Sequence, residues 1–327
     1  MMEREWAARY QPVALEAEGW TGERPRSLPE RALAGLVRFC LRKPLGAFGG
    51  LLVLLLIGMA LLGPGLRMGP LSIPRLAPYH YNEYDIARAH RERFQAPSLE
   101  HPMGTDQRGR DVFSRLLYGA RISVAIGLGA FAISTVVSTT LTLISAYYVR
   151  SVDLLLQRLI EMFNFVPDLL IIGAVFAVKG ATPLALALVL GVLGGLNTGR
   201  VLRAEVIRIR GLPYVDASKA MGASDWRIIF RHILPNVMFW IIVSATNSVS
   251  LAIVAEANLA VLGFGLDPAL PTWGNMLDEA REYVRQAPHM AIFPGLMVAM
   301  TIFGFRLLGD ALRDVLDPRL HGARLRP

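Results

Sequence analysis

Apolar windows without charged residues alternate with polar segments along most of this chain. A helix needs about 20 mainly apolar residues to cross a bilayer. Five windows mark such crossings: 45–66, 122–149, 180–199, 233–255 and roughly 290–305. Another apolar stretch, about 154–178, carries Arg158, Glu161 and Asp168, and we count it as the third span because it lies between two clear ones. The pattern predicts an all-α membrane protein of six transmembrane helices, with both chain ends on the same side.

The polar segments divide the rest of the chain. We predict a polar tail at 1–26, an amphipathic interfacial helix at 27–43, a six-span domain at 44–320 and a short tail at 321–327. Ser27 and Glu30 form a capping-box pattern ahead of an apolar helical face, which favours the interfacial helix; a plain soluble cap helix is the alternative. Within the six-span domain we expect an external loop at about 67–120 and a cytoplasmic loop at about 200–232.

Composition agrees with this interpretation, and charge adds the orientation. Of the 327 residues, 53% are hydrophobic and 18% are charged, which is too apolar for an ordinary soluble domain. Lysine and arginine concentrate in three segments, with eight up to Lys43, seven from Arg200 to Arg231 and five from Arg306 to Arg326. All three lie on one side of a six-span protein, and that side is predicted to be cytoplasmic. The net charge of +8 suits membrane lipid, whereas nucleic acid is not an expected partner because no basic run alternates with aromatic residues.

The most informative polar segment is 214–236, YVDASKAMGASDWRIIFRHILPN, which lies between two apolar spans. Pro213 and Pro235 bracket its helices, and Gly222 permits a turn between two short helical pieces. Helical spacing predicts one shared apolar face, formed by Trp226, Ile229, Phe230 and Ile233. Spacing alone favours two interpretations equally: the face enters a groove on a soluble partner, or the segment rests on the lipid surface.

This segment resembles the cytoplasmic coupling loop in permease subunits of ABC importers. The family pattern is Glu-Ala-Ala, three residues, Gly, nine residues, Ile, one residue and Leu-Pro, and the matching residues here are Asp216, Ala217, Ser218, Gly222, His232, Leu234 and Pro235. Asp and Ser keep the charge and the small size of the residues they replace. His at the Ile position is typical of the peptide and nickel branch. The resemblance implies that an ATPase couples to the chain through Asp216, Ala217, Ser218, Gly222, Trp226, Ile229, Leu234 and Pro235.

Residues 101–123, HPMGTDQRGRDVFSRLLYGARIS, resemble the segment before the second span in C-type permeases of dipeptide, oligopeptide and nickel importers. The family motif is carried by Gly104, Asp106, Gly109, Arg110, Asp111 and Arg115. We predict that its four charged residues hold a short external helix through local ion pairs, each of them weak if exposed. Residues 256–276 and 307–320 match the same branch, so the resemblance runs from about residue 36 to residue 320.

The resemblance implies an importer built from several chains. Its parts would be a heterodimer with a related B-type permease, two P-loop ATPases on the cytoplasmic face and an extracytoplasmic substrate-binding protein. ATP and Mg²⁺ are expected in the ATPases and no cofactor in this chain, whose lysines Lys43, Lys179 and Lys219 do not follow glycine as in a phosphate-binding loop. No catalytic or metal site is predicted. Dipeptides, oligopeptides and nickel all stay open as substrates, and a self-sufficient ion-coupled carrier is the alternative class.

Polar and small residues within the spans are candidates for a substrate path. We single out Asp168, Asn247 and Glu256, because polar groups in a membrane are costly and often functional, although anchoring one helix to another is the competing role that we favour for the acids. Gly191, Gly195 and Gly199 repeat at every fourth residue of the fourth span. Such small residues let helix backbones approach closely, so we predict that they serve packing.

Overall fold

The computed structural model describes residues 37, 39–68, 71–83, 92–148 and 151–316. The chain divides into two compact units, residues 1–44 and 45–327. In the first unit residues 39–42 are helical, and the Lys43 amide donates to the Phe39 carbonyl at 2.9 Å. The predicted capping box of Ser27 and Glu30 lies outside the described residues, as do the tails predicted at 1–26 and 321–327.

The second unit is mostly helical. Its helices are α1 (Pro44–Leu62), α2 (Val112–Tyr147), α3 (Ser151–Phe165), α4 (Asp168–Lys179), α5 (Pro183–Arg210), α6 (Pro213–Ala220), α7 (Asp225–Ile228), α8 (Leu234–Leu259), α9 (Trp273–Arg281) and α10 (His289–Leu316). Among the described residues, five helical runs are long and apolar enough to cross a membrane: α1, α2, α5, the run from α7 through α8, and α10. Counting the bent pair of α3 and α4 as one crossing gives six.

A short antiparallel hairpin follows α1. Strand β1 (Leu66–Met68) pairs with β2 (Leu71–Ile73), and the sequence did not predict either strand. The first apolar window runs to residue 66, but the helix already ends at Leu62. Pro64 cannot continue a helix, and Gly65 takes a φ of 79°. The loop predicted at 67–120 therefore begins with extended backbone.

The predicted third span, about 154–178, is two helices rather than one. α3 and α4 meet at an angle of 84° around Val166 and Pro167. Proline lacks an N–H donor and disfavours a helical conformation in the residue before it, so one helix stops ahead of Pro167 and another begins at Asp168. The bend places Asp168 in the first turn of a helix instead of in the middle of a span.

Small residues bring α2 and α5 close together. A Cβ atom added to Gly191 would lie 2.6 Å from the Cβ of Ile133, and one added to Gly195 would lie 2.8 Å from the Cβ of Val137. Since non-bonded carbon atoms do not approach so closely, only glycine permits this spacing of the two helices. The packing role predicted for these glycines is confirmed for Gly191 and Gly195, and at Gly199 the approach is looser, with an added Cβ 3.3 Å from Oγ1 of Thr142. α8 packs against both α2 and α5 and completes the centre of the unit.

Candidate docking surface and substrate cleft

The interhelical segment, residues 213–235, joins α5 to α8. α6 begins at Pro213, and after its last residue Gly222 takes a φ of +80°, a conformation that favours glycine. α7 follows the turn and continues through a π-helical turn, Ile229–Ile233, into α8. The structure thus contains the turn between two short helices that the sequence predicts.

One side of this segment forms a buried base. Val215, Ile228 and Ile233 are fully buried, and Ile229 is 6% exposed. They pack against apolar residues of α2, α5 and α8, among them Leu143, Ala146, Leu202, Val206, Ile209 and Val237. Full burial of an aliphatic side chain of this size contributes about 2 kcal/mol. The base therefore fixes the segment to three long helices at once.

The other side of the segment is an exposed apolar tip. Trp226 and Phe230 are 70% and 52% exposed, and their rings stack with centroids 5.2 Å apart and planes 14° apart. Met221 is 81% exposed. The prediction of a single apolar face is wrong, because Ile229 and Ile233 belong to the buried base. A π-helical turn changes the number of residues per turn, so α-helical spacing no longer shows which side chains share a face.

Tyr147 connects the interhelical segment to the end of α2. Its hydroxyl donates to Oδ1 of Asp225 at 2.7 Å. Two cations lie over its ring, the Arg210 guanidinium at 5.9 Å and the Lys219 ammonium at 5.8 Å from the centroid. Sequence reasoning missed Tyr147 because it ends an apolar span and lies far from the motif along the chain.

The other motif residues of the segment divide between partner-accessible and internal positions. Asp216, Ala217 and Pro235 are exposed, and Leu234 is half-buried. Asp216 lies 3.8 Å from the Lys219 ammonium in a pair that water screens. Ser218 is buried, and its hydroxyl donates to the Tyr214 carbonyl at 2.9 Å. Asp216 and Ala217 are therefore available to a partner, whereas Ser218 serves the internal structure.

The beginning of α2 lies in a cap, formed by residues 92–111 and α9. Asp106 accepts from Nε of Arg110 at 2.6 Å and from Nη1 of Arg115 at 2.8 Å, and both guanidiniums also lie within 3.1 Å of Glu279. Both arginine side chains are 1% exposed. The predicted ion pairs of Asp106 with Arg110 and Arg115 are confirmed, but they are buried, they extend to Glu279, and Arg115 lies inside α2 rather than in a short external helix. This pairing allows α2 to begin at Val112, well before the charge-free window.

Two further features shape the cap. Asp111 caps α2, because its Oδ2 accepts from the Ser114 amide at 2.7 Å, and its Oδ1 lies 3.0 Å from Nδ1 of His101. Gly104 and Gly109 adopt positive φ angles of 75° and 76° in the turns before it. Burial raises the pKa of the Glu279 carboxyl above its ordinary value, and the Arg110 guanidinium opposes that shift. The motif residues of this stretch thus build the cap.

A cleft of about 460 Å³ lies between α2, α4, α5 and α8. Its polar lining consists of Ser134, Asp168, Asn197, Thr198, Ser248 and Asn258, and leucine, isoleucine and alanine form most of the rest. Asp168 is the one charged side chain among the described residues that line it. No group of three or more His, Cys, Asp or Glu side chains in the described part of the chain is placed to hold a metal ion.

Comparison with known proteins assigns this sequence to a family. Residues 138–322, over half of the chain, match the family described as binding-protein-dependent transport system inner membrane component. The chain belongs to this family. It is 36% identical over 283 residues to the glutathione transport system permease protein of Pectobacterium atrosepticum, covering 86% of this chain and 89% of that protein. It is 39% identical over 228 residues to the dipeptide transport system permease protein of Alkalihalophilus pseudofirmus, covering 70% and 75% respectively.

The chain is therefore a membrane-embedded permease subunit of an ABC importer. The predicted helical permease fold and the predicted resemblance are confirmed, and the self-sufficient carrier is not supported. This permease is a multi-pass protein of an inner-membrane family whose members work as components of transport systems. Members of this family are the non-catalytic membrane components of their transport systems.

Two of the three residues predicted to line a path lie away from the cleft of this permease. Asn247 is exposed on α8, and its amide donates to the Val243 carbonyl at 3.4 Å. Glu256 is 2% exposed, and its Oε2 accepts from the Ser123 hydroxyl of α2 at 3.3 Å. A Cβ atom on Gly274 would lie 2.7 Å from Oε1 of Glu256, so α9 packs directly on this carboxyl group. Glu256 anchors α8 to its neighbours, and Asp168 alone of the three faces the cleft.

Proposed function

We propose that this permease carries peptides across the inner membrane as the C-type half of a heterodimer with a related B-type permease. Two P-loop ATPases bind the cytoplasmic face of the heterodimer, one of them docked on the interhelical segment of this chain, and an extracytoplasmic binding protein delivers the substrate at the cap. The relatives named above, a dipeptide and a glutathione permease, support a peptide substrate over nickel. ATP and Mg²⁺ belong to the ATPases.

The observation that carries this proposal is the contrast between the buried base and the exposed tip of the interhelical segment. An exposed stacked pair of aromatic rings is costly in water and gains free energy when a partner covers it. Trp226 and Phe230, with Met221, offer an apolar surface suited to a groove on a folded protein. A rigid base is what a docking surface needs if it is to pass on motion rather than absorb it.

The orientation follows from the length of α5 and its charges. A helix of 28 residues is about 42 Å long, whereas the hydrocarbon layer is about 30 Å thick. Its last turns carry Arg203, Arg208 and Arg210, which favour the cytoplasmic side. The interhelical segment continues from that end, so we place it in the cytoplasm together with both chain termini.

α8 offers a direct route from the docking surface to the cleft. It follows the π-helical turn of the interhelical segment without a break, and its residues Ser248, Ala255 and Asn258 line the cleft. Movement of the docked ATPases would therefore shift one wall of the cleft. Alternating access arises when the two permease halves rock in this way, opening the cleft first to one side and then to the other.

Purification of the importer from native membranes in mild detergent tests the proposal. The wild-type permease should bring down a P-loop ATPase and a second permease, identified by mass spectrometry. The double variant Trp226→Ala, Phe230→Ala should keep the second permease but recover about half as much ATPase, because only the ATPase docked on this chain is lost. Phe303→Ala, which removes a 62% exposed ring on α10, is the matched control and should keep both. Full recovery of the ATPase with the double variant would contradict docking at this tip.

A further inference from the structure

Among the described residues, the cleft is lined by one negative charge and by mostly apolar side chains. Asp168 supplies a carboxylate, and none of the described lining residues is a lysine, arginine or histidine. Arg158, the nearest basic residue along the chain, pairs instead with Glu161 at 2.9 Å. Asp168 is exposed, so water weakens its field, but the apolar residues beside it and the lack of a basic side chain among the described lining residues leave that field uncompensated within the cleft. The cleft should therefore attract cations and repel anions.

The remaining polar groups of the cleft suit an uncharged hydrogen-bonding ligand. Ser134 is 2% exposed, and its hydroxyl has no protein partner among the described residues although it lines the cleft. Asn197 and Asn258 add side-chain amides, which can both donate and accept. An unsatisfied buried hydroxyl costs free energy that a ligand can recover. These groups match the amide bonds of a peptide backbone.

We infer that Asp168 is a specificity-determining residue, which binds the α-ammonium group of a peptide during its passage through the cleft. This inference rests on the proposed function. Asp168 lies in the first turn of α4, where a carboxylate is also favourable toward the helix dipole. A purely structural role of that kind would make transport depend on the fold of α4 rather than on the charge at position 168, so uptake by Asp168→Asn and Asp168→Glu separates the two roles.

The first experiment measures the charge selectivity without any substrate. Cys40 is the single cysteine, so Cys40→Ser gives a background in which Asn258→Cys places one thiol in the cleft. In the complete importer, this thiol is treated with one of two methanethiosulfonate reagents, the cationic trimethylammonioethyl or the anionic sulfonatoethyl compound. The rates at which the two reagents modify the thiol are compared. Adding Asp168→Asn should lower the ratio of cationic to anionic rate by about fivefold. Glu161→Gln, an exposed acid outside the cleft, should leave the ratio unchanged; an unchanged ratio in Asp168→Asn overturns the inference.

The second experiment measures uptake of alanyl-alanine into proteoliposomes that contain the importer and its binding protein. Asp168→Asn should reduce uptake by about tenfold while the ATPase stays bound, and Asp168→Glu should restore most of it because it restores the charge. Wild-type uptake in Asp168→Asn, or equal loss in Asp168→Glu, overturns the inference. If the wild-type importer takes up no alanyl-alanine while the thiol ratio still shifts with Asp168, the peptide substrate is contradicted and the cation-selective cleft is supported.

Discussion

The cap and the interhelical segment adjoin opposite ends of α2. The cap buries charged side chains, whereas the interhelical segment exposes apolar ones. In the cap, Asp106, Arg110 and Arg115 are charged, yet they are buried and paired with one another and with the half-buried Glu279. In the interhelical segment, Trp226 and Phe230 are apolar, yet they are exposed. Each arrangement reverses the usual preference of its residue types for water or the protein interior.

The difference teaches how to separate structural from functional motif residues. A buried network whose charges pair with one another fixes the register of the helices that contribute to it. Trp226 and Phe230 stack on each other, yet both stay exposed among the described residues, and a second protein can cover them. Both regions carry family motifs, but of the two only the interhelical segment leaves a stacked pair of aromatic rings exposed.

The largest effect is expected in the cap. Arg115→Met leaves Asp106 and Glu279 with one buried cation fewer, and breaking a buried pair in this way costs about 3 to 5 kcal/mol of unfolding free energy. Unfolding of the purified complex by titration with a denaturing detergent measures the loss. Arg158→Met is the control, since Arg158 and Glu161 are 71% and 49% exposed, and it should change the free energy by less than about 1 kcal/mol. Equal losses in the two variants would contradict a buried network.

A smaller loss of unfolding free energy is expected in the base of the interhelical segment, and almost none in its tip. Ile228→Ala removes a fully buried side chain and leaves a cavity, which should cost about 3 kcal/mol. Met221→Ala removes a side chain that is 81% exposed and should change stability by less than about 0.5 kcal/mol. The same detergent titration measures both. A Met221→Ala loss as large as that of Ile228→Ala would show that the tip is packed within the chain.

The smallest change in stability is expected at Gly222. There the substitution should affect ATP-driven uptake more than the free energy of unfolding. Gly222→Ala forces a side chain into a left-handed conformation at a cost of about 1 kcal/mol. Gly180→Ala is matched, because both glycines have a φ of 80° and neither has an atom within 4 Å of an added Cβ. We expect similar stability losses, but reduced ATP-driven uptake in Gly222→Ala alone. Equal uptake in the two variants would separate the Gly222 turn from coupling.

The sequence predicts features that depend on local composition. Charge-free windows locate the spans because lipid excludes unpaired charges, and the turn at Gly222 follows from glycine between two helical patterns. The motif of the interhelical segment and the cap motif are likewise recognisable from residues close together in the chain. Asp168 could be selected as a cleft residue because a carboxylate between apolar residues is unusual.

Features that depend on distant contacts or on the local winding of the helix escape prediction. Glu279 and Tyr147 act on residues far away in sequence, so no spacing identifies them. Arg115 looks like a loop residue until its buried partners are known. The π-helical turn before α8 moves Ile229 and Ile233 away from the face that α-helical spacing assigns to them. A signal for the bend at Pro167 was present in the sequence, since proline interrupts helices.

The most direct test of the central claim is site-specific photo-crosslinking in the assembled importer. A benzophenone amino acid replaces Met221 at the tip or, as control, Leu262, which is 64% exposed beyond the other end of α8. We predict that illumination joins the permease to a P-loop ATPase from position 221 and not from position 262. An ATPase crosslink from position 262, or none from position 221 in a complex that hydrolyses ATP and transports, would contradict docking on the interhelical segment.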